Sequence, residues 1–279
     1  MAQTTPKRKI KDSVFTSLFQ DKKYLLQLYQ ALHPEDSQVT EEEIEDVTMK
    51  HVLVDADYND LGFSVGNRLL ILVESQSTWT FNIIIRALMY LIQTYHDYLK
   101  RTNQNLYGSK KVNLPKPELY VIYTGDRKHI PDTLSLQKDF FGGEPIALEV
   151  EVTVLYQENE TDIIGQYIMF CKVYQEQRKQ YGNTKQAVTE TIRICKDRNV
   201  LKDYLENKEQ EVVDMMMTLF DDEQILKAYT KDVENTAARK TAERMIKKGK
   251  MSLEEIADYV PSLSMEELKE IEADIMQLA

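Results

Sequence analysis

Apolar residues recur at helical spacing from the start of the chain. Val14, Phe15, Leu18 and Phe19 form one set, and Leu25, Leu28, Tyr29 and Leu32 form the next. They predict two short helices within the first 33 residues. Asp12 or Ser13 can cap the first and Asp21 the second, and His33-Pro34 ends the pair. Residues 35–46 read as an acidic connection, with a helical turn over Glu41–Asp46. The period then changes. Leu61–Val65 and Leu69–Val73 are short apolar runs around Gly66-Asn67-Arg68, which predicts a hairpin. The second run, LLILV, is apolar on both faces, as in a strand covered from both sides. Phe81, Ile84, Ile85, Leu88, Leu91, Ile92, Tyr95 and Leu99 predict a long helix over 80–100. A polar loop, roughly 101–117, leads to a strand at Leu119–Tyr123 that ends at Gly125. A loop stopped by Gly142-Gly143 follows. Ile146–Tyr156 alternates as a half-exposed strand.

From about residue 161 the pattern is helical throughout. Helices are predicted at 162–180, 184–197, 199–207, 210–220 and 222–248, with short ones at 253–260 and 264–277. The order is helix, strands, helix, strands, then helices. It predicts an α/β core over 1–158, with a mixed sheet flanked by helices, and an all-helical extension over 159–279.

Composition narrows the class. The 279 residues are 42% hydrophobic and 29% charged, enough for a sizeable core. No apolar run reaches the length of a membrane span, and no apolar stretch follows the basic amino terminus. Cys171 and Cys195 make neither a disulfide framework nor a metal-ligand spacing. A reducing, cytoplasmic setting with no membrane partner is expected.

The net charge of −11 opposes a general nucleic-acid coat, but the charge is distributed in blocks. Residues 37–60 carry eight acids and one base. Residues 236–250 carry six bases and one acid, and residues 251–279 carry eight acids and one base. Such runs are commonly solvated helix faces.

The acids beside the hairpin carry the candidate chemistry. With a three-residue loop, positions summing to 134 lie opposite one another, so Asp60 faces Glu74; a two-residue loop shifts the pairing by one. Glu74 and Gln76 fall on one strand face and Ser75 on the other. Two carboxylates about 4 Å apart repel by ~4 kcal/mol at an effective dielectric near 20. Either one keeps its proton or a divalent cation neutralises both. Oxygen donors without nearby His or Cys favour Mg²⁺ or Mn²⁺, and such an ion suits phosphodiester hydrolysis. Simple solvation of acids at strand ends is the alternative.

The motifs Asn59-Asp60-Leu61-Gly62-Phe63 and Leu70-Ile71-Leu72-Val73-Glu74-Ser75-Gln76-Ser77-Thr78 resemble the Rpn family of recombination-promoting nucleases, also described as transposase-like. That family belongs to the PD-(D/E)XK, or restriction-endonuclease-like, superfamily. The resemblance continues in Arg86 and Tyr90, in Leu114–Glu118 with Tyr120–Gly125, in Leu134-Ser135-Leu136 and Phe140-Phe141, and more weakly over Cys195–Glu211.

It implies a metal-dependent DNA endonuclease with Asp60 and Glu74 as ligands of Mg²⁺ or Mn²⁺. The superfamily pattern has Lys two residues after the Glu. Gln76 stands there and can orient by hydrogen bonds but supplies no positive charge. Arg86 is the candidate for that role, with Tyr90 one helical turn away shaping the site. Asp12 is a candidate further acid of the metal shell, or an N-cap. Lys7, Arg8, Lys9 and Lys11 are candidate DNA contacts, or a basic tail. A homodimer would supply two sites for double-strand cutting. The competing expectation is a cleavage-incompetent relative that binds nucleic acid or protein, as a transposition or recombination accessory factor.

His33, His51, His96 and His129 lack ligand spacing and read as surface or loop positions. Met215-Met216-Met217 reads as helix core. The acidic tail reads as two helices around a turn, better suited to protein contact or packing than to DNA.

Overall fold

The computed structural model describes residues 14–46, 60–75 and 79–277. Helices α1 (Val14–Phe19) and α2 (Lys22–Leu32) form as the apolar spacing predicts. Asp21 caps α2, its carboxylate accepting from the Lys23 amide at 3.0 Å. The helix stops at His33 because the following proline disfavours the α conformation there. Short 3₁₀ turns follow at Pro34–Asp36 and Glu41–Glu43. The helical turn expected over Glu41–Asp46 therefore ends early. Ile44, 1% exposed, begins strand β1 (Ile44–Asp46) and is buried by sheet pairing.

Strands β2 (Asp60–Val65) and β3 (Arg68–Ser75) form the expected hairpin with a shorter loop. Val65 pairs with Arg68, leaving only Gly66-Asn67 in the turn. Gly66 has φ +56°, the positive value that a two-residue hairpin turn with glycine first requires. Paired positions sum to 133, so Asp60 lies opposite Val73 rather than Glu74.

Helix α3 (Ile83–Arg101) then crosses to β4 (Lys116–Tyr123), which runs parallel to β3. Strand β5 (Thr133–Ser135), helix α4 (Leu136–Phe141) and strand β6 (Glu151–Leu155) complete the sheet. The order is β1-β2-β3-β4-β6-β5, with β1–β2–β3 antiparallel, β4 parallel to both β3 and β6, and β5 antiparallel to β6.

The Ile146–Tyr156 strand is observed only over its second half. Its pairings cover Glu151–Leu155, and Leu148 stays exposed. Strand β5 and α4 are too short to show as periodic patterns, so the sequence reads this region as loop.

Leu69, Ile71 and Val73 pack under Ile83, Ile84, Ala87 and Tyr90 of α3, with Leu119, Val121 and Tyr123 of β4. Leu70, Leu72, Phe63 and Ile122, on the alternate positions, are fully buried as well. The LLILV run is thus covered on both faces, as its composition implies.

Helices α5 (Ile163–Tyr181) and α6 (Lys185–Asp197) follow, then α7 (Lys202–Lys248). The predicted break near residue 208 is present, since Lys208 leaves helical geometry; the one predicted at 221 is not. The first compact unit extends past residue 158, to Met217. Tyr167 of α5 stacks edge-on against Phe15 and Phe19, and the Tyr204 hydroxyl donates to Ser17 Oγ at 2.9 Å. These contacts join α5 and α7 to the opening helix of the same unit.

Residues Thr218–Ala279 form the second compact unit. Helices α8 (Leu253–Tyr259) and α9 (Met265–Gln277) bury Ile256, Val260, Leu263, Leu268 and Ile271 with Ala242 of α7. The acidic tail is therefore a packing element, as expected. No helix among the described residues is long and apolar enough to cross a membrane.

Candidate functional site

Asp60 begins β2 and Glu74 is the penultimate residue of β3, so both stand at the open end of the hairpin, away from Gly66-Asn67. By regular alternation, position 60 belongs with Gly62, Ser64 and Val73, while position 74 belongs with Leu70, Leu72 and its β4 partner Ile122. The shorter turn thus moves the two positions from the opposed pairing expected of them to an offset of one residue, which by regular alternation puts them on opposite faces of the sheet. Gln76, Asp12, Lys7, Arg8, Lys9 and Lys11 lie outside the described residues.

Arg86 sits in the first turn of α3, half-buried, with its Nε shielded from solvent. It is therefore not a free surface charge. Tyr90, one turn on, is 9% exposed and packs in the core beneath α3. The two share a helix face as expected, but Tyr90 anchors the helix to the sheet while Arg86 lies nearer its amino-terminal end.

Two residues not singled out from the sequence join this end. Trp79 stacks edge-on against Tyr123 at 5.2 Å, and Tyr123 is the β4 partner of Ser75. The exposed Arg127 lies over the Trp79 ring at 5.5 Å. Its amide donates to the Tyr123 hydroxyl at 3.3 Å. Gly125 permits this fold-back, since a Cβ there would stand 2.4 Å from the Tyr123 hydroxyl oxygen. Trp79 is the sole tryptophan and lies five residues after Glu74, the one signal the sequence carried.

The other end of the same strands holds a second charged cluster, around Glu118. Arg68 Nη1 donates to Glu118 Oε1 at 2.8 Å, and the Tyr120 hydroxyl donates to Oε2 at 3.0 Å. His33 Nε2 lies 2.7 Å from Glu118 Oε2, and its Nδ1 lies 3.0 Å from Glu35 Oε1. Both contacts are satisfied together when the ring carries both protons, since a carboxylate only accepts. His33 lies in the loop after α2, as one of the two expected positions has it, but it is buried, so the surface alternative is corrected for it. A partner 85 residues away in sequence is invisible to a spacing argument.

Burial raises the Glu118 carboxyl. Arg68, His33 and Tyr120 outweigh that and hold it below the ordinary carboxylate value. Burial, aided by the hydrogen bond to Asp36, pushes the Tyr29 hydroxyl beside this cluster up to about 12. These groups neutralise one another within the fold.

Cys195 is buried, and desolvation pushes its thiol up to about 12, which removes it as a nucleophile. Among the described residues no three His, Cys, Asp or Glu side chains gather as a metal cluster. Comparison of the chain with protein-family models, curated proteins and solved structures gave no match.

Proposed function

We propose that the chain is a metal-dependent DNA endonuclease of the restriction-endonuclease-like type, as the resemblance to recombination-promoting nucleases implies. One observation carries the reading: Asp60 and Glu74 occupy adjacent strands at the same open end of a hairpin. The hairpin lies in a mixed sheet whose next strand is parallel. Asp60 and Glu74 would hold Mg²⁺ or Mn²⁺, with Gln76 adding a neutral oxygen; carboxylate and carboxamide oxygens suit a hard divalent cation. When bound, the ion neutralises charge on a phosphoryl oxygen and acidifies water.

The chain's own residues supply the rest. Arg86, nearer the amino-terminal end of α3 than Tyr90, offers a guanidinium to a phosphate oxygen, and Tyr90 fixes the helix that carries it. Arg127 provides a second, exposed cation at the same end. For both acids to grip one ion, the hairpin must leave regular alternation at its open end, as a bulge does.

The regular register, which puts positions 60 and 74 on opposite faces, also favours a second reading, a relative that binds DNA without cutting it, acting as an accessory in recombination or transposition. A supercoiled-plasmid assay with Mg²⁺ or Mn²⁺ separates the two. The nuclease reading expects nicking that chelation of the metal removes, and that Asp60→Ala reduces ~100-fold or more with the fold intact. Equal nicking by parent and variant overturns it. Binding by the parent without any nicking selects the second reading. If both strands are cut, light scattering should show a homodimer, which supplies the two sites.

A further inference from the structure

The connection between α3 and β4 lies at the opposite end of β3 from Glu74. The Lys116 amide donates to the Asn67 carbonyl of the hairpin turn at 2.7 Å. Residues 98–117 hold five bases, Lys100, Arg101, Lys110, Lys111 and Lys116, and no acid, in a chain of net charge −11. Arg101 lies 3.7 Å from Glu45, and Lys116 lies 3.9 Å from Glu118. Lys100, Lys110 and Lys111 are exposed and have no ion-pair partner among the described residues.

The loop has a fixed form. The Gln104 side chain bonds both backbone groups of Asn113, accepting from its amide at 2.6 Å and donating to its carbonyl at 3.1 Å. A turn held by Asn105 closes at Gly108, whose amide donates to the Asn105 carbonyl at 3.2 Å. The tip this creates presents Tyr107, 98% exposed, and Leu106, 61% exposed. Folding gains nothing from an aromatic ring left wholly in water.

We propose that this loop grips a nucleic-acid strand, with Lys110 and Lys111 on backbone phosphates and Tyr107 stacked on an unpaired base. Charge complementarity selects a polyanion. The interleaved aromatic ring selects a nucleic acid among polyanions, because every base offers a face for stacking. One tyrosine and one leucine bury too little apolar area to anchor a membrane. The grip is separate from the candidate metal ligands, since the start of β4 lies roughly 20 Å from Glu74 along β3. It does not depend on whether the chain cuts.

The test is fluorescence anisotropy of the full chain with a labelled single-stranded DNA, without divalent metal, across a range of salt. Lys110→Ala with Lys111→Ala should weaken binding about tenfold or more and lower the log–log salt slope by about 1.4, the single-strand value for two phosphate contacts. Tyr107→Ala should weaken binding about fivefold and leave the slope unchanged. Equal affinity of the double variant and the parent overturns the proposal. So does parental binding to anionic phospholipid vesicles with none to DNA. Loss of binding in the loop variants, with no effect of Asp60→Ala on nicking, would uphold the grip and reject the nuclease reading. The reverse pattern would do the opposite.

Discussion

The two ends of the β2–β3–β4 ribbon both carry charge, but they treat it differently. At the turn end, Glu118 sits among Arg68, His33 and Tyr120, each within 3.0 Å, and its side chain is only 12% exposed. Every partner comes from another part of the fold or a neighbouring strand position. At the open end, Asp60 and Glu74 stand on adjacent strands with a register that puts their positions on opposite faces by regular alternation, and Trp79 and Arg127 gather on Tyr123 where β4 ends. Charge that is balanced internally holds a fold together. The two acids at the open end are the ones proposed above to hold a divalent cation. Burial of a charge therefore identifies the structural cluster here, and position along the strand identifies the functional candidate.

That contrast breaks down if the two ends respond alike to substitution. The largest expected effect is on activity: Asp60→Ala should remove metal-dependent nicking while leaving thermal stability within about 0.5 kcal/mol of the parent. Glu118→Ala should give the inverse result. It leaves Arg68 and His33 with only the more exposed Glu35 and Asp36 as acidic partners among the described residues and should cost about 2–3 kcal/mol in a denaturant titration, with nicking per folded molecule unchanged. A variant at either position that moved both readouts equally would erase the distinction.

Acid should act on the turn end next. The Glu118 carboxyl is held below its ordinary value in the folded state. It therefore contributes stability above about pH 4.5, and that contribution is lost as pH falls through the folded-state value. Denaturation midpoints measured downward from neutral pH should show this loss, and Glu118→Ala should flatten it. A slope in the variant as steep as in the parent would place the acid sensitivity elsewhere. The smallest effect sharpens the ledger of the cluster itself. Tyr120→Phe removes one of several hydrogen bonds to Glu118 and should cost about 1 kcal/mol. A larger loss would mean that the cluster acts as a cooperative network.

The amino-acid order determined the local elements, because periodicity and capping are properties of neighbours in the chain. Leu25, Leu28, Tyr29 and Leu32 announced α2, Asp21 its start and His33-Pro34 its end. The two-faced LLILV run announced a covered central strand. The acids at positions 60 and 74 could be singled out because the hairpin that joins them is itself local. What lay beyond reach was set by distance. The hairpin register turned on whether Arg68 belonged to the turn, and its pairing with Val65 and its ion pair with Glu118 placed it in β3. His33 read as a surface residue until folding brought Glu118 against it. Strand β5 exists only because β6 is there to pair with it. Tertiary structure decided these points because each depends on a partner far along the chain. The free energy that fixes them is released only when the two meet.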